Sequence, residues 1–512
     1  MIQIDSESHL RLKRRYQLRS LYADHLLARL QKTPDGRLHQ RVLQVLQQAI
    51  TEGIFPPETR LPASRDLAKE LNVSRNTVLN AYESLLAEGY VTARTGSGTW
   101  VAKMLPEFSP EPVQPYSLEN QRALPAHSLS TRGSELLGYA NASPYQWGAF
   151  VPGAPDVTAF PHQLLRKIEN RLQKAPQIDQ LIYSNGGGCP HLRQALSEYL
   201  RVTRAVKADA EQIIITEGIH QTVDLISRVL ADVNDPVWVE DPGYWGTRNI
   251  LRCNGLQLHA LPVDADGMIP DPRHAPLPKM VFVTPSHQYP LGGLMSLARR
   301  QQLLDMARRQ RFWIIEDDYD SEFRFSSPPH PALQGLEDNA PVLYMGTFSK
   351  TLYPALRMGY LVVPKSLSHP LRTAAAELYR GGHLIKQRAI AEFIREGHFA
   401  AHIRRMRLLY HQRRQFLLGL ISRYLGDAFL PRYSHDAGLH LVLSLPDGCD
   451  DVAIASRALH QGVVVRALSQ YYFTPQQERG LLLGYACVDE STLFTAFTAL
   501  RQCLCQAGVI EP

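Results

Sequence analysis

Gly346-Thr347-Phe348-Ser349-Lys350 ends an apolar run in a small residue, a hydroxyl and an amine, and Arg357 follows seven residues after the lysine. At that spacing a guanidinium can pair with a phosphate beside the Ser349 hydroxyl. A second apolar run closes in Asp317-Asp318-Tyr319-Asp320, which adds carboxylates and a phenol. The three groups together match what a pyridoxal cofactor needs: a carboxylate to keep its ring nitrogen protonated, a phenol at its ring oxygen and a lysine to form the Schiff base. Asp317, Tyr319 and Lys350 fill these roles. Each has an ordinary alternative, since Asp317 also suits a helix cap, Lys350 a solvated surface and Arg357 a surface ion pair.

Further strand ends carry the same kind of chemistry. Glu217-Gly218-Ile219-His220 opens an amphipathic stretch whose free amides and helix dipole suit a phosphate, and Gly218 permits close backbone approach. Glu240-Asp241-Pro242-Gly243-Tyr244 is a turn that would hold the Tyr244 ring over a planar ligand; taken alone, it is equally a surface turn. A third run leads into Thr284-Pro285-Ser286-His287-Gln288-Tyr289-Pro290-Leu291-Gly292, which brings the Tyr289 phenol to the same end.

The elements that must position these groups are short β-rich runs at about Ile213 to Thr216, Val237 to Val239, Val281 to Thr284, Phe312 to Ile315 and Val342 to Met345. Helical pattern separates most of them, which predicts a largely parallel sheet in an α/β fold with ligands outside the carboxyl ends of its strands. This region is expected to occupy residues 135–512. Before it, residues 103–134 hold prolines 106, 110, 112, 115 and 125 with little apolar periodicity, the composition of a linker. Residues 1–35 form an N-terminal extension that no motif assigns.

Residues 36–102 read as a winged helix-turn-helix. Leu43, Val45, Leu46, Ala49 and Ile50 give a first helix its buried stripe, and Gly53 with Pro56-Pro57 stops it. Ser64 is expected to cap a second helix carrying Leu67, Ala68 and Leu71. Ser74 is expected to cap a third, with Val78, Ala81, Tyr82, Leu85 and Leu86 inward. Tyr90 to Val101 alternates around Thr95-Gly96-Ser97-Gly98 as a hairpin wing would. Arg65, Ser74, Arg75, Asn76, Thr77 and Arg94 remain for the surface, offering cations for phosphates and short polar groups for base edges. Double-stranded DNA is the partner this scaffold fits.

With 44% hydrophobic and 20% charged residues the chain has the composition of a globular protein, neither disordered nor fibrous. A net charge of +6 is modest for 512 residues and does not by itself argue for nucleic acid. Six cysteines, at 189, 253, 449, 487, 503 and 505, form no Cys-x-x-Cys pair and no metal-like spacing, so a reducing compartment and no metal site are expected. Without an apolar leader or a membrane-length apolar run, the expected location is cytoplasmic.

The stretch "RLPASRDLAKELNVSRNTVLNAYESLLAEGYVTARTGSGTWVA" resembles the GntR-type winged helix nearly throughout. In the larger region "VWVEDPGYWGTR", "TPSHQYP", "WIIEDDYDSEFRF" and "GTFSKTLYPALRMGYLVVP" resemble fold-type I aminotransferases, and with the GntR-type fusion they resemble the MocR subfamily of regulators. That resemblance, over about Leu38 to Ala486, implies a mostly parallel sheet with a smaller C-terminal α/β subdomain, pyridoxal 5′-phosphate held at Lys350, and a domain-swapped homodimer. It implies Asp317 as partner of the pyridine nitrogen, Tyr319 and Tyr289 at the ring oxygen, Tyr244 as stacking ring, and Ser349 and Arg357 as phosphate ligands. Arg65 and Arg75 would contact DNA, and Gly96, Ser97 and Gly98 would let the wing tip approach the minor groove. The implied function is a transcriptional regulator that senses an amine, an amino acid or pyridoxal phosphate itself. The rival is an active aminotransferase carrying a DNA-binding module, and slow half-transamination is compatible with both.

Three departures stand out. Asn185-Gly186 replaces an Asp-Pro pair, which is expected to loosen a loop beside the site. Leu291 replaces a hydroxyl residue. Leu482 stands where many amino-acid aminotransferases place the arginine for the substrate carboxylate, with Arg466 and Arg479 nearby and neither assignable. Without that guanidinium an ordinary α-amino acid is a poorer candidate effector.

Overall fold

The computed structural model describes residues 21–32, 38–94, 98–103, 129–140, 142–273, 275–325, 330–433, 436–474 and 478–511. The chain divides into two compact units, Met1–Leu124 and Pro125–Pro512.

In the first unit, helices α1 (Leu21–Lys32), α2 (Leu38–Thr51), α3 (Ser64–Leu71) and α4 (Arg75–Ala87) precede strands β1 (Val91–Arg94) and β2 (Gly98–Val101), which pair antiparallel. One apolar cluster joins Leu26 and Leu30 of α1 to Val45, Leu67, Val78 and Val101. Part of the segment that sequence left unassigned is therefore core.

Three local expectations are corrected. Val42 rather than Leu43 is fully buried in α2, and Leu86 is 45% exposed rather than inward. At 3.6 residues per turn, Leu86 stands about 80° from Val78, off the stripe that Val78, Ala81, Tyr82 and Leu85 share. Ser64 does not cap α3: Ala63 is the N-cap, with no side-chain cap bond, and Ser64 is the first helical residue. The carboxylate of Asp66 stands in that first turn instead, where the helix dipole favours it. Ser74 does cap α4, its Oγ accepting from Thr77 N at 3.1 Å. Asn72, with φ 55°, makes the left-handed exit from α3 that sets the two helices at a tight turn.

The second unit opens with α5 (Thr131–Gly138), which begins inside the stretch read as linker. Its main sheet has eight strands in the order β3-β10-β9-β8-β7-β4-β5-β6. These are β3 (Ile213–Thr216), β4 (Pro236–Asp241), β5 (Gln257–Asp264), β6 (Gly267–Met268), β7 (Met280–Val283), β8 (Trp313–Asp318), β9 (Val342–Thr347) and β10 (Gly359–Val362). Strands β9, β8, β7, β4 and β5 run parallel, while β10 is antiparallel to both β3 and β9. The five expected runs appear as β3, β4, β7, β8 and β9, within a residue or two at each end except that β8 runs three residues further, to Asp318. β5 and β10 were not among them. β5 lies near the sheet edge with mixed burial and contains Pro262, so it shows no sustained period.

Helices α6 (Ile219–Leu230), α7 (Trp245–Cys253) and the single turn α8 (Phe348–Thr351) follow β3, β4 and β9 directly. Every residue of β3, β7, β9 and β10 is buried, which accounts for their unbroken apolar sequence. After a 27-residue helix, His398–Tyr424, a smaller antiparallel sheet forms from β11 (His440–Ser444), β12 (Arg466–Ala467) and β13 (Gly480–Gly484) in the order β11-β13-β12. The fold is thus α/β, with the parallel strand ends gathering the residues of interest.

Candidate functional site

Asp317 lies near the carboxyl end of β8, 9% exposed, and its Oδ1 has no hydrogen-bond partner. Burial, then the neighbouring charges of Asp318, Glu240 and Asp320, push its carboxyl up to about 8. A buried acid of this kind gains most from a cationic N–H placed against it. Lys350 follows β9 in α8. Its Nζ donates to Gly153 O at 2.8 Å, and burial depresses its pKa while Asp320 and Asp317 oppose the shift. A lowered pKa favours the neutral amine, which is the nucleophilic form. Thr347 Oγ1 caps the turn by accepting from Ser349 N at 3.1 Å, which fixes where Ser349 and Lys350 stand.

At the end of β3, Gly218 adopts φ 94° and opens α6; a Cβ there would lie 3.7 Å from the Arg357 guanidinium. Arg357, itself at φ 49°, therefore faces the helix N-terminus where Ile219 is half-buried and His220 begins the first turn. Burial and then the Arg357 cation lower the His220 pKa. His220 Nε2 and Tyr244 Oη are 3.1 Å apart, joining the end of β3 to the end of β4. A cavity is lined by Tyr244, Arg248, Glu240, Thr284, Asp317 and Met345. The ring of Tyr244 meets that of Tyr289 edge-on at 5.8 Å, and Tyr289 meets Tyr319 at 5.7 Å. Tyr319 Oη is bonded to His287 Nδ1 at 2.8 Å, and His287 Nδ1 lies 3.0 Å from Asp320 Oδ2. Tyr289 Oη is 3.3 Å from Tyr471 Oη.

Several members of this site were not singled out by sequence. Gly153 lies nearly two hundred residues before its lysine, and Tyr471 belongs to the smaller subdomain. Glu240, pushed up to about 7 by burial, anchors the floor by accepting from Thr284 N at 3.2 Å. His440 on β11 donates from Nε2 to Pro290 O at 3.0 Å, and burial, then His287, lower its pKa to about 3. No local motif marks these residues; only the convergence of distant segments does.

The departures acquire definite places. Gly186 is not a loosening element: at φ 89°, its Cβ would stand 1.9 Å from Arg372 O, so the loop packs where only glycine fits. Leu482 is fully buried in an apolar cluster with Leu291, Val442, Leu468 and Tyr471. Arg479 lies 3.4 Å from Asp451, and Arg466 is the cross-strand partner of Leu482.

On the first unit, Arg65, Ser74, Arg75 and Asn76 are exposed at the starts of α3 and α4, and Thr77 is half-buried. Arg94 ends β1 opposite Gly98, which is exposed at φ 98°; Gly96 and Ser97 lie outside the described residues. Arg60, which sequence did not nominate, bridges to Trp100, and its Nε would be 3.0 Å from a Cβ on Gly98. It adds an exposed cation beside the wing. Among the described residues no cluster of metal-ligating side chains occurs, and no helix is long and apolar enough to cross a membrane.

A winged helix-turn-helix and an aminotransferase-type sheet in one chain define a DNA-binding regulator with an enzyme-derived second unit. Residues 38–101 match the model for bacterial regulatory proteins of the gntR family, and residues 158–500 match aminotransferase class I and II. The chain is 39% identical over 473 residues to the probable rhizopine catabolism regulatory protein MocR of Rhizobium meliloti, covering 92% of this chain and 94% of that one. It is 31% identical over 456 residues to the pyridoxine biosynthesis transcriptional regulator PdxR of Corynebacterium glutamicum, covering 88% and 93%. The crystal structure of LysN, an α-aminoadipate aminotransferase from Thermus thermophilus, overlays with a TM-score of 0.66 at 26% identity, covering 73% of this chain and 97% of that one. The chain belongs to the MocR-type transcriptional regulators, in which a GntR helix-turn-helix is fused to an aminotransferase class I and II domain.

Proposed function

We propose that the large unit binds pyridoxal 5′-phosphate covalently at Lys350 and that an amine, an amino acid or the cofactor itself, acting there, sets the affinity of the winged helix for its operator. The observation that carries this reading is Asp317 Oδ1, buried, without a partner and lining the same cavity as the Tyr244 ring. When bound, pyridoxal phosphate supplies an electron-withdrawing ring and an aldehyde that captures amines. The chain's own residues divide the remaining work. Asp317 holds the proton at the ring nitrogen, Tyr244 stacks on the ring face, and Tyr319 and Tyr289 address its ring oxygen. Ser349, Arg357 and the amides of Gly218, Ile219 and His220 hold the phosphate at the N-terminus of α6. The His287–Asp320 pair keeps the Tyr319 phenol in place.

In the small unit, Arg65, Arg75, Arg94, Ser74, Asn76 and Thr77, with the wing residues Gly96, Ser97 and Gly98, are proposed to contact DNA. Ile178, Leu181, Ile182 and Tyr183 are 78%, 62%, 61% and 75% exposed, an apolar surface that supports assembly as a homodimer, proposed to be domain-swapped. Leu482 in place of the carboxylate arginine weighs against steady turnover of common α-amino acids, which favours the regulator over the working aminotransferase. The proposed location is cytoplasmic, which suits a DNA-binding protein.

Absorbance titration with pyridoxal phosphate, followed by operator binding with and without the cofactor, tests this reading. A visible band lost in Lys350→Ala and a cofactor-dependent change in operator affinity are expected. No band in the wild-type protein would refute the cofactor assignment, and unchanged operator affinity would refute the coupling.

A further inference from the structure

His440 lies on β11, 3% exposed, and its Nε2 donates to Pro290 O at 3.0 Å. That bond places the ring proton on Nε2 and leaves a lone pair on Nδ1, which is buried and has no hydrogen-bond partner. Burial and then His287 lower the pKa of the ring to about 3, and Lys350 adds to the shift, so the imidazole stays neutral within the field of the Lys350 amine. Its ring meets that of Tyr289 edge-on at 5.3 Å. Across the smaller sheet His440 pairs with Gly484 and Val442 with Leu482, so His440, Val442 and Leu482 share one face. Where many amino-acid aminotransferases carry a guanidinium, that face holds an apolar leucine and, beside it, a neutral acceptor. His440 also lines a cavity with His287, Leu291, Gly292, Tyr433 and Arg414, and the Arg414 cation there is already engaged by Asp436 at 2.9 Å.

A buried lone pair gains from a donor, and the charge of that donor decides its class. An ionised carboxylate brings only acceptors. A second ammonium would leave water at the place where burial already keeps an imidazole uncharged. A hydroxyl donates without carrying charge. We infer that the unpartnered His440 Nδ1 is the acceptor for a hydroxyl of the effector, so that the effector is an amino alcohol, an amine that carries O–H and no carboxylate. This deepens the proposed function and rests on it.

The test uses the full-length protein loaded with pyridoxal phosphate and reads binding as the shift of its cofactor band. The probes are 2-aminoethanol, 3-aminopropan-1-ol and 4-aminobutan-1-ol. Each is set against the alkylamine in which a methyl group replaces the hydroxyl (propylamine, butylamine, pentylamine) and against its carboxylate counterpart (glycine, 3-aminopropanoate, 4-aminobutanoate), with affinities compared per neutral amine. 1,3-Diaminopropane supplies the charged donor. At least one amino alcohol is expected to bind on the order of fivefold or more tighter than its alkyl counterpart and tighter than the carboxylate and the diamine. His440→Leu is expected to bring the hydroxyl-to-methyl ratio to near one, and His440→Asn, which keeps a side-chain acceptor, to leave it intermediate. A cooperative melting transition in each variant reports that the unit is folded. Absence of a hydroxyl preference in the wild-type protein, tighter binding of the carboxylates or of the diamine, or a preference that survives His440→Leu overturns the inference. Failure of the wild-type protein to take up pyridoxal phosphate at all overturns the proposed function instead, and this inference with it.

Discussion

The two units place their working residues in opposite ways. In the first, Arg65, Ser74, Arg75 and Asn76 come from about a dozen consecutive residues and stand exposed on helices whose buried faces are self-contained. In the second, Gly153, Gly218, Tyr244, Asp317 and Lys350 come from segments spread over two hundred residues, and the last two owe their chemistry to burial. Surface recognition depends on which side chains a local scaffold presents, whereas cofactor chemistry depends on how far distant groups shift one another out of water. Substitutions should therefore act independently in the two units, except where ligand binding couples them.

The largest expected effect is complete. Lys350→Ala is expected to abolish the absorbance of covalently held pyridoxal phosphate while leaving cofactor-independent DNA binding intact; persistence of the band would mean that another lysine carries the cofactor. Next, Arg75→Ala is expected to weaken operator binding by roughly 10- to 100-fold, the scale of a base or phosphate contact of about 1–3 kcal/mol, without changing cofactor content. Equal affinities in a mobility-shift titration would remove Arg75 from the interface. Asp317→Ala is expected to weaken cofactor binding on the order of 10-fold or more, because a charge-assisted bond to the ring nitrogen is lost. An unchanged dissociation constant would refute that pairing.

A smaller effect concerns pH and should belong to the second unit alone. Burial raises Asp317 to about 8, and Glu240 and Glu316 to about 7. Each keeps its proton in the folded chain over a range where the unfolded chain has released it. Folding thus takes up protons, and stability falls as pH rises from the ordinary carboxylate range to about 8. The cofactor-free protein is expected to unfold at lower temperature at pH 8 than at pH 5, with Asp317→Asn flattening the dependence. A wild-type melting temperature that rises over this range would contradict the buried-acid picture. The smallest effect is Arg65→Ala, which is expected to reduce the salt dependence of DNA binding by a slope of about 1.

Much of this arrangement was legible in the sequence, for identifiable reasons. The stripe of Val45, Leu46 and Ala49, the Ser74 cap and the hairpin pairing follow from local periodicity and capping chemistry, which tertiary context had no cause to override. The five strands β3, β4, β7, β8 and β9 were readable because burial leaves each with an apolar run, which in β4 and β8 stops at the acidic residues of the strand end. Ser64 failed as a cap because a hydroxyl beside a helix start does not specify which residue adopts the extended cap conformation. Gly186 was misread because a glycine that looks permissive in one dimension is compulsory when the Arg372 carbonyl packs against it.

The sequence by itself determined that a GntR-type DNA-binding unit is followed by an aminotransferase-type sheet, and that Asp317, Tyr319, Tyr244 and Lys350 stand at its strand ends, since chain order and apolar pattern encode those positions. Only the tertiary structure decided that burial raises the Asp317 carboxyl, that Lys350 rests on the Gly153 carbonyl, and that Leu482 is sealed in apolar packing. Burial and pairing are properties of surfaces brought together across hundreds of residues, and no local pattern records which polar groups that assembly leaves unsatisfied.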